Sequence, residues 1–396
     1  MRFIDYIFVL FLLTNSFDPV GYYSKAKYVL FAVLVIYGLL SYIKTQAYIS
    51  NPNRLSIISF VFIPIWGILI ALLFNNMADE GFATSHFFAL CFVFLFYYLI
   101  TLTTKRLLIL LWITGIIIAI VTLILFVLSE LNPMFFEAIY NYGIETKSFL
   151  MAHERNFVGI SVNGLYFKSG SLIIFSFIYT LYYFKGKIKP ILSCILFLSL
   201  VFSGSRTPAL VNSFILLIYF YDKIIGKRKN NILFLSAILI ATIYAIFILA
   251  EDKGGAGSNE LKFDNYESYI NVIFQGVNAI FGTGVGSVFY AKGNGEYLAF
   301  TELTYFDIIR MYGIPLGTYL IILFFMPFFI MRKYFIFSLF LKRFYWGYVL
   351  FLILAGTNPT LLGSVGMLVV TSMMAISNRI EYDYKKNRLI DSIWTK

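Results

Sequence analysis

Three short stretches of the chain carry residue types that can do chemistry. "HERNFVG" sets His153, Glu154 and Arg155 in succession, "SGSRTPAL" places Arg206 among small neighbours, and "FTELTYFDIIRMYGIPLG" contains Glu302, Asp307 and Arg310. Gly, Ser and Thr offer backbone and hydroxyl donors beside the planar guanidinium of Arg206, a set that suits a phosphate oxyanion. Lys168 opens an apolar run, where an unpaired charge is costly, so a water-filled cavity is its expected surrounding. Glu302 and His153 are the groups placed to take a proton from an attacking hydroxyl. On a helix Glu302, Phe306, Ile309, Arg310 and Gly313 share one face, which predicts Glu302 and Arg310 on the same side about two turns apart.

Each of these residues has a plainer reading. Arg206 can be a boundary charge that reaches back to lipid headgroups. His153, one of two histidines with His86, can be a solvated loop residue. Asp307 and Arg310 are spaced for a helix ion pair. Gly313 and Gly317 have the spacing of a close helix-packing motif, and Pro315 predicts a kink. Metal and nucleotide patterns are weak beside these groups. "EDKGGAGSNELKFDNYES" lacks the alternating acids of a calcium loop, and "GTGVGS" follows no predicted strand. "EYDY" near the C-terminus has no surrounding domain to hold a nucleotide.

These residues must be positioned by a chain in which 60% of 396 residues are hydrophobic, 20% aromatic and only 13% charged. That composition excludes an ordinary soluble domain and predicts an all-α polytopic membrane protein forming a single integral membrane domain over 1–396. A span takes about 20 apolar residues. The apolar runs predict about twelve transmembrane helices, near 3–17, 28–46, 55–74, 85–103, 107–129, 165–184, 190–204, 208–222, 231–250, 303–331, 344–357 and 360–377. The first is read as retained, because its charge and apolar core lack a small-residue cleavage site. Cys91 and Cys194 fall inside apolar runs and act as small hydrophobes.

The net charge of +11 is topological. With both termini cytoplasmic, most of the Lys and Arg fall on the inside and most acids outside, as the positive-inside rule requires. Two long segments, 130–164 and 251–302, are then expected as large extracytoplasmic loops, and long loops tend to be functional or disordered. Arg206 lies on their side of the membrane.

With these features in place, the chain resembles the O-antigen and capsular polysaccharide repeat-unit polymerases (Wzy-type), relatives of the O-antigen ligases. The resemblance rests on the first outer loop, "SGSRTPAL", the second outer loop ending "FGTGVGS", and "ELTYFDIIRMYGIPLG"; "GTNPTLLGSVGM" adds to it. The ligases have a histidine where this chain has Glu302, counted back from Gly313.

The resemblance implies transfer of a growing glycan from polyprenyl diphosphate to a new lipid-linked repeat unit, on the outer face of a bacterial cytoplasmic membrane. It implies no cofactor and no metal. Its catalytic groups are Glu302, then His153; its diphosphate-binding groups are Arg206, Arg155, Lys168 and Arg310. The implied partners are the polyprenyl-diphosphate-linked oligosaccharide, membrane lipid, a chain-length regulator and a flippase, and no nucleic acid. A ligase-type transferase, a lipid-linked oligosaccharide flippase or other transporter, and a non-catalytic membrane scaffold are the competing readings. A transporter is expected to carry charges near the midplane of its spans, whereas here the candidate charges gather at the outer rim.

Overall fold

The computed structural model describes residues 3–18, 25–146, 150–157, 160–203, 206–224, 256–356 and 360–386. The chain is all-α in class and 80% helical. Its first half contains α1 (Phe3–Phe17), α2 (Ala26–Thr45), α3 (Asn51–Leu73) and α4 (Glu80–Cys91); α4 continues through a 3-10 turn into α5 (Phe96–Leu99), followed by α6 (Thr104–Leu131) and α7 (Pro133–Thr146). An antiparallel hairpin, β1 (Leu150–Phe157) and β2 (Ile160–Phe167), leads to α8 (Ile173–Tyr182), α9 (Lys189–Phe202) and α10 (Arg206–Ile224). Then come α11 (Ala256–Ile273), the single turn α12 (Asn278–Phe281), a second hairpin β3 (Phe289–Ala291) and β4 (Glu296–Leu298), α13 (Thr304–Met331), α14 (Leu339–Gly356) and α15 (Ser364–Lys385).

Among the described residues, six helical stretches are long and apolar enough to cross a membrane: Ala26–Thr45, Asn51–Leu73, Glu80–Leu99, Thr104–Leu131, Thr304–Phe337 and Leu339–Gly356. They correspond to six of the twelve expected spans. The expected spans at 3–17, 165–184 and 190–204 are shorter apolar helices, and that at 231–250 lies outside the described residues. Only 17% of the apolar window of α2 is buried, and Val29, Ile36, Leu40 and Ile43 are exposed along it. A continuous apolar face of that kind is what lipid covers in a membrane protein.

The helix at 360–377 has a different role. Every residue of α15 from Ser364 to Asn378 is buried, so this helix is the axis around which the others pack. Its end is polar, with Asn378, Arg379 and Glu381 in the last turns, and it is not among the six.

Antiparallel packing gives the bundle two poles. At one, Arg106 grips the buried Asp5 at 2.6 Å, Asn378 accepts from the Ser50 backbone at 2.9 Å, and Arg343 pairs with Asp222. At the other lie the end of α1, the start of α2, the end of α3, the start of α4 and the starts of α13 and α15. The two expected loop segments both belong to this second pole. Phe167 of β2 packs edge-on against Phe17 at the end of α1, and Asn163 donates its backbone N–H to Glu130 at the end of α6. The backbone N–H groups of Ala78 and Asp79 donate to the Gly286 carbonyl. Both segments contain regular structure among the described residues. The first folds as α7 and a hairpin, the second as α11, α12 and a hairpin, with residues 251–255 outside the described set.

Candidate functional site

The segment from Gly282 to Leu303 is wedged into the second pole by a break in α13. Gly313 has φ 75° and ψ 168°, a conformation that interrupts the helix, and Pro315 two residues on has no N–H to give the Met311 carbonyl. The orphaned carbonyls find donors in the wedge. Thr283 donates its N–H to Arg310 O at 2.8 Å and Gly284 its N–H to Met311 O at 3.1 Å. Such close approach requires glycine: Gly282, Gly284 and Gly286 all have positive φ, and a Cβ on Gly284 would lie 2.3 Å from the Ala71 nitrogen. "FGTGVGS" is thus the sequence of a plug. The expected kink at Pro315 falls at Gly313, and Gly313 approaches the Ile280 carbonyl rather than serving with Gly317 as a seam between two spans.

Arg310 clamps the wedge. It is buried, and its Nη1 donates to Thr283 Oγ1 at 3.1 Å and to Ser287 Oγ at 2.8 Å, while Nη2 donates to the Ala299 carbonyl. Its guanidinium lies over the Phe289 ring, 4.7 Å from the centroid. Asp307 stands 3.6 Å away, so the ion pair expected from their spacing forms. Asp307 also accepts from the Thr301 backbone at 3.0 Å and from the Tyr269 hydroxyl at 2.7 Å. Burial, with the Asp307 charge beside it, raises the Tyr269 phenol well above its usual range, so Tyr269 stays a donor and holds α11 to α13. Arg310 therefore spends both Nη atoms inside the protein. Its expected role as a diphosphate ligand gives way to a positional one.

Glu302 does not share a helix face with Arg310, because α13 begins only at Thr304. Its carboxylate is exposed at 62% and pairs with Lys262 of α11 at 3.3 Å. The two residues that flank it by two positions, Phe300 and Thr304, both line a cavity, so Glu302 sits beside its mouth. His153 and Arg155 face Gly164 and Val162 across the hairpin register, Lys168 follows β2, and Arg206 begins α10. All four backbones belong to the second pole, on elements separate from Glu302; their side chains lie outside the described set.

The cavity measures about 360 Å³. Phe82, Phe88, Phe92, Phe300 and Leu362 form its apolar walls, with Phe82 stacked on Phe300 at 5.0 Å. Its polar lining comes from Lys27, Asp79, Ser85, His86, Thr304, Asp307 and Ser364. Four helices aim their N-termini at it: Lys27 and Tyr28 open α2, Gly81 and Phe82 open α4, Thr304 opens α13 and Ser364 opens α15. Such ends carry unsatisfied N–H groups and partial positive charge. No side chain caps α2, α13 or α15, whereas Asp79 caps α4 by accepting from Phe82 N at 2.8 Å. Lys27 is the one Lys or Arg in the lining and is buried at 1% exposure. Apolar walls over a floor where helix N-termini and Lys27 stand beside the engaged carboxylates of Asp79 and Asp307 give an apolar tail and a polar headgroup adjoining surfaces.

Lys27 and His86 were not singled out from sequence as site residues, although a signal existed. Lys27 immediately precedes the expected span at 28–46 and His86 is the second residue of that at 85–103, and an ionisable residue at the edge of an apolar run is a functional candidate in membrane proteins. Among the described residues, no cluster of His, Cys, Asp or Glu is arranged to hold a metal ion. Comparison of the chain with protein-family models, with curated proteins and with solved structures gives no match, so the site's own geometry carries its reading.

Proposed function

We propose that the protein is a membrane glycan polymerase. It transfers a growing polysaccharide from polyprenyl diphosphate to a new lipid-linked repeat unit, at the pole that holds the cavity. The observation that carries this reading is the cavity itself, where apolar walls meet a floor of helix N-termini and one buried lysine. A substrate with a prenyl tail and a diphosphate head needs both parts side by side. The motif resemblance supports the same reading, and so does charge: Arg54, Lys105, Lys187, Arg332 and Lys385 gather at the opposite pole, which favours that pole as the cytoplasmic one.

In the proposed reaction the acceptor hydroxyl attacks the anomeric carbon of the donor glycan. A new C–O bond forms, the bond to the diphosphate breaks, and the diphosphate leaves with the electron pair. A diphosphate is already a stable anion, so fixed positive charge serves it better than a general acid. Lys27 and the helix N-termini supply that charge within the cavity, with Arg206, Arg155 and Lys168 as cations of the same pole. Glu302 beside the mouth takes the hydroxyl proton, and His153 is the second choice.

The test is reconstitution. Purified protein in proteoliposomes, given purified lipid-linked repeat units, is expected to produce a ladder of longer glycans and release polyprenyl diphosphate. Folded protein that yields no ladder would overturn the proposal.

A further inference from the structure

The floor of the cavity contains one group whose bonding is incomplete. His86 is buried at 2% exposure and lines the cavity. Its Nε2 lies 2.6 Å from the Tyr312 hydroxyl, and its Nδ1 has no partner. Tyr312 is fully buried and stands outside the cavity lining. Its ring packs against Gly67, where a Cβ would come within 2.5 Å. Among the described residues, His86 is the one hydrogen-bond partner of its hydroxyl.

This pairing decides where the imidazole proton sits. A neutral imidazole has one N–H. With that proton on Nε2, it would donate to Tyr312 and leave the phenolic O–H buried with no acceptor, a costly state. With the proton on Nδ1, the phenol donates to Nε2, and the ring N–H is left buried and without a partner on a residue that lines the cavity. An imidazolium donates from both nitrogens. Only the state with its single proton on Nδ1 satisfies the pair, because the imidazolium, donating from Nε2, strands the phenolic O–H as the Nε2 tautomer does.

We infer that the cavity binds a phosphate-type oxyanion through His86 Nδ1–H and the Lys27 ammonium, beneath the four converging helix N-termini. This deepens the reading above by naming the groups that hold the diphosphate, and it rests on that reading for the identity of the substrate. Lys27 already has an acidic neighbour in Asp18, so a bound anion shares its ammonium, and the two acids of the lining are engaged elsewhere. Asp79 Oδ1 accepts from the backbone of its own helix, and Asp307 is engaged by Tyr269, Thr301 and Arg310.

The test uses the full chain in lipid nanodiscs, labelled with 15N in its histidines. With two histidines in the sequence, the imidazole spectrum is simple, and His86→Asn assigns it by deletion. Resonances with a protonated Nδ1 at His86 are expected, and they should shift when inorganic pyrophosphate or farnesyl diphosphate is added. Affinity should fall about 10-fold or more in His86→Phe and in Lys27→Met, the scale for a hydrogen bond to a charged group. His86→Asn, whose amide reaches close to the Nδ1 position, should keep most of it.

Farnesyl diphosphate binding about 10-fold tighter than pyrophosphate would identify a lipid-borne head, and equal binding a free phosphate compound; farnesol alone should not bind. A lone pair at Nδ1 with the proton on Nε2, or folded protein that binds neither diphosphate, would overturn the inference. If His86→Phe does not fold, the spectrum of the unaltered protein with and without ligand still decides. Protein that binds farnesyl diphosphate yet makes no polymer would keep this site and remove the polymerase.

Discussion

The two poles of the bundle are built from the same helices and differ in character. α2, the α4–α5 stretch and α15 all run from the cavity at one pole to a groove of about 390 Å³ at the other, lined by Ser41, Tyr42, Thr45, Thr101, Arg379 and Tyr382 among others. Parallel helices add their dipoles, so the cavity receives three positive ends and the groove three negative ones. Side chains follow the same division. At the groove Arg379 and Lys385 supply compensating charge within ion pairs to Asp383 and Glu381, and Asn378 bonds to Ser50, Asn53 and Tyr48. At the cavity His86 keeps Nδ1 unpartnered. The poles thus differ in which charges they gather: ion-paired Arg379 and Lys385 beside helix C-termini at one, and Lys27 with His86 beside helix N-termini at the other.

The comparison can be broken most forcefully at the wedge. Gly284→Val is expected to destabilise by roughly 4 kcal/mol or more, because a Cβ cannot coexist with the Ala71 backbone and a branched residue does not adopt its positive φ. The measurement is recovery of monodisperse protein from detergent; near-normal yield and Tm would contradict the packing described.

Two paired arginines, one buried and one half-buried, sharpen it next. Arg310→Met removes five contacts and leaves Asp307 buried beside it, at a cost of about 3–5 kcal/mol, and it should also abolish binding of farnesyl diphosphate because the wedge shapes the cavity. At the opposite pole Arg343 grips Asp222, with Nε donating to Oδ2 at 2.8 Å and Tyr182 donating to the same oxygen at 2.7 Å. That pair is partly solvated, so Arg343→Met should cost about 2 kcal/mol and leave ligand affinity unchanged in what folds. Equal loss of affinity in both variants would erase the distinction between the poles.

Glu302→Gln tests chemistry without packing. Its carboxylate is exposed and its ion pair with Lys262 is solvated, so Tm should move by no more than about 0.5 kcal/mol equivalent. Polymer formation should fall about 100-fold if the carboxylate takes the acceptor proton. Near-normal turnover would remove Glu302 from the reaction and bring His153 forward.

Sequence made some of this legible and hid the rest for identifiable reasons. Apolar runs marked the six spanning stretches within a few residues, because length and hydropathy are local properties. The Asp307–Arg310 pair followed from helical spacing. Apolarity alone does not separate a helix that faces lipid from one that faces protein, so nothing in the run at 360–377 marked α15 as the helix that is buried on all sides. Helix starts are decided by a turn or two of backbone bonding, and the late start of α13 moved Glu302 off the face it was expected to share. The contacts that build the cavity are distant along the chain: His86 meets Tyr312, and Phe82 meets Phe300. No local spacing encodes such pairs, so two ionisable residues at the edges of apolar runs stood as isolated signals until the fold brought them together.

The central claim, that the pole of helix N-termini is where the diphosphate is held and the glycan extended, is tested most directly by one paired assay. Lys27→Met and Arg379→Met each remove a cation, one from the cavity and one from the groove. Both are reconstituted at matched amounts of folded protein and supplied with purified lipid-linked repeat units. The account predicts that polymer formation falls about 10-fold or more in Lys27→Met, the loss expected for a charge-assisted contact, while Arg379→Met extends glycan at the rate of the unaltered protein. Normal extension by Lys27→Met, or loss confined to Arg379→Met, would contradict it.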